Sequence, residues 1–384
     1  MTVEALLKLI PADTFSFLAA ETKVNHQVKK LSGETLFKLI LFSMLHSDKP
    51  SLRVMESFLQ SAKFKKLNGQ KEVAVKYNSI HDRICAINSA YFQKMFETIF
   101  TLYNKHLKEE KAISKADSTY VSIAANLVSW SMRNGELKTG LKQVKYSVQL
   151  KGSLPCHVKV FTEQAFISEN LALSALVESC DTLTESVVVF DRGLQSRNSF
   201  DSFSAKDILF VGRSNLNYFC KPIVRKRIPI KKKGSTVTIT KDEVVYLRNR
   251  QHKLTKYRYR LITARIDATT EEICLVTNLF DTTAYEIAGI YKQRWEIELF
   301  FRFIKQNLNV KHLVSRNLNG INVIIYMTMI AAILILVYKK TNQIKGYKIA
   351  KLRFEIALDN LLIKEIVILC GGNPALASNL WNSS

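Results

Sequence analysis

The chain has 384 residues, 47% of them hydrophobic and 10% aromatic, which excludes an intrinsically disordered protein and leaves room for two or three domains. A formal net charge of +23 favours a polyanionic partner: DNA, RNA or an acidic membrane surface. The six cysteines form no CxxC pair, so a zinc site is not expected and a reduced cytoplasm is, in keeping with an N-terminus that lacks a signal-peptide pattern.

Residues 1–108 read as helices. Ser32 offers an N-cap ahead of an apolar stripe through Leu36, Ile40 and Met44, and Pro50 with Ser51 breaks and restarts the chain. A basic helical unit ahead of a larger domain is either a DNA reader or simply a bundle. From about residue 109 the texture becomes α/β, and the first part of a core runs to 206. "KQVKYSVQL" and "HVKVFTE" suggest a hairpin, "NLALSALVESC" a helix, and "SVVVF" a central strand buried on both faces.

Residues 207–280 read as a β-rich insertion. Between Arg213 and Arg260 there are 15 Lys/Arg against 2 Asp/Glu, so +13 of the +23 lies in one-eighth of the chain. That concentration suits a binding surface. Helices return near Thr283, complete the core over 281–340 and continue through a C-terminal region, 341–384. "INVIIYMTMIAAILILVYKK" is slightly short for a membrane span, and a buried core helix is expected there instead.

Three acids stand out. Asp117 closes "AISKAD" and Asp191 closes "SVVVFD", each expected at a strand end, where open α/β sheets gather their ligands. A turn or cap acid is the competing reading of either one alone. The third, Glu298, lies in "YKQRWEIELFFRFIKQ", 291–306, read as one helix. On a helical wheel Tyr291, Arg294, Glu298 and Lys305 share a sector of roughly 60°, with Trp295 and Arg302 beside it and the apolar residues opposite. An amphipathic helix with an i,i+4 ion pair would explain Arg294 and Glu298, but not three bases and a tryptophan.

With those spacings the sequence resembles a branch of bacterial insertion-sequence DDE transposases. Their Y-R-E-K signature is matched by Tyr291, Arg294, Glu298 and Lys305, and their two earlier acidic motifs by "DST" at Asp117 and "DRG" at Asp191. The resemblance covers about residues 110–340. Two positions depart from it: Leu194 follows "DRG" where an aromatic is common, and Ser147 stands where a His is common.

The resemblance implies an RNase H-like mixed-sheet core in which Asp117, Asp191 and Glu298 hold two Mg²⁺ or Mn²⁺ ions. It also implies a cut-and-paste transposase that binds inverted terminal repeats, cleaves and joins strands, and can pass through a DNA hairpin. Tyr291, Arg294 and Lys305 would grip the backbone at the cut, with Arg192, Arg302 and a base-stacking or merely packed Trp295 beside them. The basic stretch, with Arg225, Lys226, Arg227, Lys231, Lys232 and Lys233, would track double-stranded DNA. Pairing two element ends calls for at least a dimer on DNA, on the bacterial nucleoid in the cytoplasm and away from any membrane. The competing class is a non-catalytic DNA-binding regulator on a transposase scaffold.

Overall fold

Two units make up the chain: a helical one, Met1–Lys108 with Arg302–Ser384, and a sheet-based one, Glu109–Phe301. The computed structural model describes residues 1–108, 113–124, 131–133, 141–180, 186–215, 220–228, 230–231, 234–249, 251–308, 315 and 317–377.

The helical unit opens with α1 (Val3–Leu7), α2 (Thr14–Thr22), α3 (Gly33–His46), α4 (Leu52–Leu59), α5 (Ala62–Leu67), α6 (Tyr77–Ala86) and α7 (Ala90–Leu107). The cap expected at Ser32 is in place, its side chain accepting from the Thr35 N–H at the start of α3, and at the restart after Pro50 the Ser51 side chain accepts from the Val54 N–H at the start of α4.

The sheet-based unit begins with β1 (Ser114–Ala124), β2 (Leu141–Lys151) and β3 (Leu154–Phe161), an antiparallel meander that includes the expected hairpin. Helix α8 (Glu169–Glu178) leads to β4 (Val187–Phe190), then α9 (Arg197–Ala205) and β5 (Leu209–Ser214). β4 pairs parallel with β1 on one side and β5 on the other, and the short apolar strand is buried as its sequence requires. The order β3-β2-β1-β4-β5 is that of an RNase H-like core.

The basic stretch continues the same sheet. β6 (Cys220–Arg225), β7 (Val237–Leu247), β8 (Tyr259–Ile266) and β9 (Glu272–Thr277) join through β9, which pairs antiparallel with β5. β5 lies after residue 207 and yet belongs to the parallel ladder of the core. β6 forms the outer edge, where Pro222, which has no N–H to give a ladder, is tolerated.

Both faces of the sheet are covered. Leu173, Leu176 and Val177 of α8 and Phe200 and Phe203 of α9 pack with Ala116, Val188, Phe190 and Phe210 on one face. Helix α10 (Ala284–Lys292) packs Ala284, Ile287, Ala288 and Tyr291 against Val189 and Val211 on the other. Phe190 fits because its cross-strand partner is Gly212: a Cβ there would lie 2.3 Å from the Phe190 ring.

The expectation of a single helix over 291–306 is corrected. α10 ends at Lys292 and α11 (Trp295–Asn307) begins after a two-residue turn, Gln293 and Arg294. Between them Gln293 donates to Ile290 O, Arg294 to Tyr291 O, Glu296 to Gln293 O and Ile297 to Arg294 O, so the backbone tightens into i→i−3 turns. Neither Gly nor Pro causes this. Tyr291 therefore sits on a different helix from Glu298, and one wheel cannot describe both.

α11 carries the boundary between the two units, and α12 (Leu318–Thr341) and α13 (Tyr347–Leu369) complete the helical one. α12 is long and apolar enough to cross a membrane, yet 89% of its most apolar window is buried inside the protein. It packs on α7, with Tyr326 and Phe96 rings 6.1 Å apart, as a core helix.

Gly212→Ala should destabilise the protein by about 1–3 kcal/mol, because Phe190 must leave its rotamer or the strands must part. Urea unfolding followed by tryptophan fluorescence would show it; an unchanged midpoint would mean that the ring has room to spare.

Candidate active site

The site forms where β1 and β4 part. Their parallel register pairs Ser114 with Val188 and Lys115 with Val189, and then β4 ends at Phe190. Two residues further on come Asp117, still in β1, and Asp191, just past the end of β4, whose charge acts on Asp117. Alternation puts Asp117 on the face of Lys115, and α10, which covers the Val189 face, reaches Asp191. Asp117 is not at a strand end, as expected: β1 runs on to Ala124 because β2 pairs with it along its full length. The crevice exists because only the β4 side of the ladder stops.

α10 brings the next group. Its start is fixed by a capping box between Thr283 and Glu286, and its apolar side seats it on the sheet. The Tyr291 hydroxyl then lies 3.3 Å from Asp191 Oδ1 as donor. Burial, with the charge of Asp191, pushes the phenol up to about 12, so it keeps its proton.

Arg294, in the turn between the helices, ties the remaining acids together. Its guanidinium lies 2.7 Å from Glu298 Oε1 and 3.9 Å from Asp191 Oδ2, and 5.7 Å from the Tyr291 ring centroid. Its Nε is buried without an acceptor among the described residues. So is the Nε of Arg213 on β5, and both arginines line one cavity of about 550 Å³ with Tyr291 and Lys292. Orphaned guanidinium donors beside acids suit an oxyanion such as phosphate.

A fourth carboxylate was not foreseen. Glu169, the first residue of α8, packs over "DRG": a Cβ on Gly193 would fall 2.5 Å from its Cγ. Only glycine leaves that space. In sequence Glu169 is indistinguishable from an ordinary first-turn helix acid.

The Asp117 carboxyl is pushed up to about 7, first by burial and further by the charges of Glu169 and Asp191, against the Ser118 N–H and Arg294. Glu169 is likewise raised by burial. Among the described residues no three His, Cys, Asp or Glu side chains stand close enough to hold a metal ion. The donor set nevertheless suits a hard divalent cation: carboxylate oxygens, with Arg294 as a cation between two of the acids.

The other residues singled out in the sequence are placed as follows. Trp295 is 52% exposed at the start of α11. Arg192 is exposed, 4.0 Å from Glu271. Arg302 and Lys305 continue α11 within the helical unit, Arg302 exposed and Lys305 half-buried. Arg225 is exposed although its Nε donates to Glu243, Lys231 pairs with Asp267, and Arg227 is exposed. Lys226 donates to the Phe280 carbonyl. Lys232 and Lys233 lie outside the described residues. The two departures from the signature are packing residues: Ser147 is fully buried on the Ser118 hydroxyl at 2.6 Å, and Leu194 is fully buried in the phenylalanine cluster.

A family model described as the transposase DDE domain matches residues 110–334. The chain is similar to proteins named as transposases: that of insertion sequence element IS5377 in Geobacillus stearothermophilus, 28% identical over 78% of this chain and 76% of that one; y4zB of Sinorhizobium fredii, 28% over 59% and 61%; and that of element IS4SA in Synechocystis, 26% over 62% and 65%.

The raised Asp117 pKa carries a stability consequence. Folded protein holds a proton that unfolded protein releases between about pH 4 and pH 7, so this residue's contribution worsens as pH rises through that window. Asp117→Asn should therefore be more heat-stable than the parent at pH 8 without divalent ions, with the gain shrinking towards pH 4. A difference in melting temperature that does not vary with pH would contradict this.

Proposed function

Because the chain belongs to the transposase DDE-domain family, we propose that this DNA transposase works by cut and paste with Asp117, Asp191 and Glu298 as its metal-binding acids. The observation that carries the reading is Arg294, whose guanidinium reaches both Asp191 and Glu298 beside the strand that bears Asp117. When bound, two Mg²⁺ or Mn²⁺ ions would supply charge stabilisation at the attacking and leaving oxygens of a phosphodiester.

The chain's own residues then divide the work. The three acids are the ligands, with Glu169 adjacent. As Arg294 releases the acids, its fork turns to a phosphate oxygen, joined by Arg213 from the same cavity wall. Protonated Tyr291 donates to an acid or phosphate oxygen. Tyr291, Arg294, Glu298 and Lys305 make this chain a member of the Y-R-E-K branch. Exposed Trp295 offers a stacking surface to an unpaired base, as a hairpin intermediate would need. Arg192, Arg302, Arg225, Arg227 and Lys231 contact the DNA backbone, and the helical residues 1–108 read the inverted repeats. Two copies act on two paired ends. A regulator without catalysis is the weaker reading, because all three acids and the arginine that links them are retained.

Glu298→Gln should bind end-bearing linear DNA like the parent but lose Mg²⁺-dependent nicking by roughly 100-fold or more. Undiminished cutting would remove Glu298 from the site. Neutralising Arg225, Arg227 and Lys231 together should flatten log affinity against log salt by about 0.9 for each phosphate no longer neutralised; an unchanged slope would show that this edge of the sheet does not touch DNA.

A further inference from the structure

Two residues before Asp117, β1 carries a lysine that is 2% exposed. A buried ammonium needs compensation, and Lys115 finds it twice. Its Nζ donates to the Gly152 carbonyl in the β2–β3 turn at 2.8 Å and to Glu296 Oε2 at 2.9 Å. Glu296 stands two residues before Glu298, in the first turn of α11. The pair thus joins the strand of the first acid to the helix of the third.

Two ion pairs hold the first turn of α11. One is Arg294 with Glu298, the other Lys115 with Glu296. Residues two apart on a helix point about 200° apart, so the two pairs grip it from different sides and fix its rotation. They are not equivalent. The Arg294 pair uses Glu298 itself, through one of its two carboxylate oxygens. The Lys115 pair uses no functional acid and can persist throughout. Alternation also puts Lys115 on the same sheet face as Asp117, so it sets both acids from one side.

We propose that Lys115 is a positioning residue, whose ion pair with Glu296 tethers the first turn of α11 to β1 and so sets where Glu298 stands relative to the strand that bears Asp117. This rests on the reading of those acids as metal ligands. Without the tether the helix start would turn or lift. The acids would then meet a cation less well, although each is still present.

The test uses the full-length protein without DNA and reads Mn²⁺ binding by electron paramagnetic resonance, alongside urea unfolding. Glu296 is half-exposed, so Glu296→Gln should fold normally and weaken Mn²⁺ binding by about 10-fold, as loss of an outer-shell partner does. Lys115→Glu should lose more, and adding Glu296→Lys should restore a large part of that loss, which a merely structural lysine would not allow. Folded Glu296→Gln with parental Mn²⁺ affinity overturns the tether, as does a double variant no better than Lys115→Glu. Glu298→Gln is the separate control. If it too binds Mn²⁺ like the parent, the metal-ligand reading fails, and the tether with it; if it loses Mn²⁺ while Glu296→Gln does not, the tether alone fails.

Discussion

The Arg294 guanidinium stands between Asp191 and Glu298 and joins the end of β4 to the first turn of α11. Asp117 is raised first by burial, and the charges of Glu169 and Asp191 near the end of the parallel ladder add to it. Arg294 acts on Asp117 and Asp191, and Lys145 on Glu169. Arg294 keeps α11 near Asp191 and leaves its own Nε without an acceptor among the described residues. Each partner is thus under-satisfied: the acids want more positive charge, and the arginine wants another oxyanion. A divalent cation with a phosphate ester satisfies both at once.

The rest of the sheet-based unit keeps this arrangement in register. The crevice is set by strand pairing, because β4 stops while β1 continues along β2. The phenylalanine cluster on one face and α10 on the other seat the two strands. The capping box of α10 fixes where Tyr291 falls, and the tightened turn after it frees Arg294 to reach inward. The Lys115–Glu296 pair then acts on the remaining loose element, the start of α11.

Much of this was legible in the sequence, and the exceptions share a cause. Asp117, Asp191 and Glu298 were singled out on local signals, an acid after an apolar run and fixed spacings around a glutamate, and the family resemblance joined them into one proposed site. The cap at Ser32 and the restart at Pro50 and Ser51 were local too. What could not be read depends on partners distant in sequence. Asp117 looked like a strand end, since nothing local reveals that β2 extends the pairing. The break at Gln293–Arg294 has no Gly or Pro to announce it. Glu169 looked like a routine helix acid until Gly193 was seen to make room for it. A lone lysine in an alternating strand reads as solvated, whereas Lys115 is buried because a turn carbonyl and a helix acid meet it there. The basic stretch was read as an insertion, and its strands prolong the core sheet, because edge-to-edge joining leaves no mark on composition.

The central claim is that Asp117, Asp191 and Glu298 meet on bound divalent ions. Iron(II) can replace such ions and, with ascorbate and peroxide, cut the polypeptide wherever the backbone passes close to it. Mapping those cuts by mass spectrometry tests the claim most directly. The account predicts cleavage focused on three segments, around 117, 191 and 298, suppressed by excess Mg²⁺ and lost in Asp191→Asn. Cuts at only one of the three, or a pattern indifferent to Mg²⁺, would contradict it.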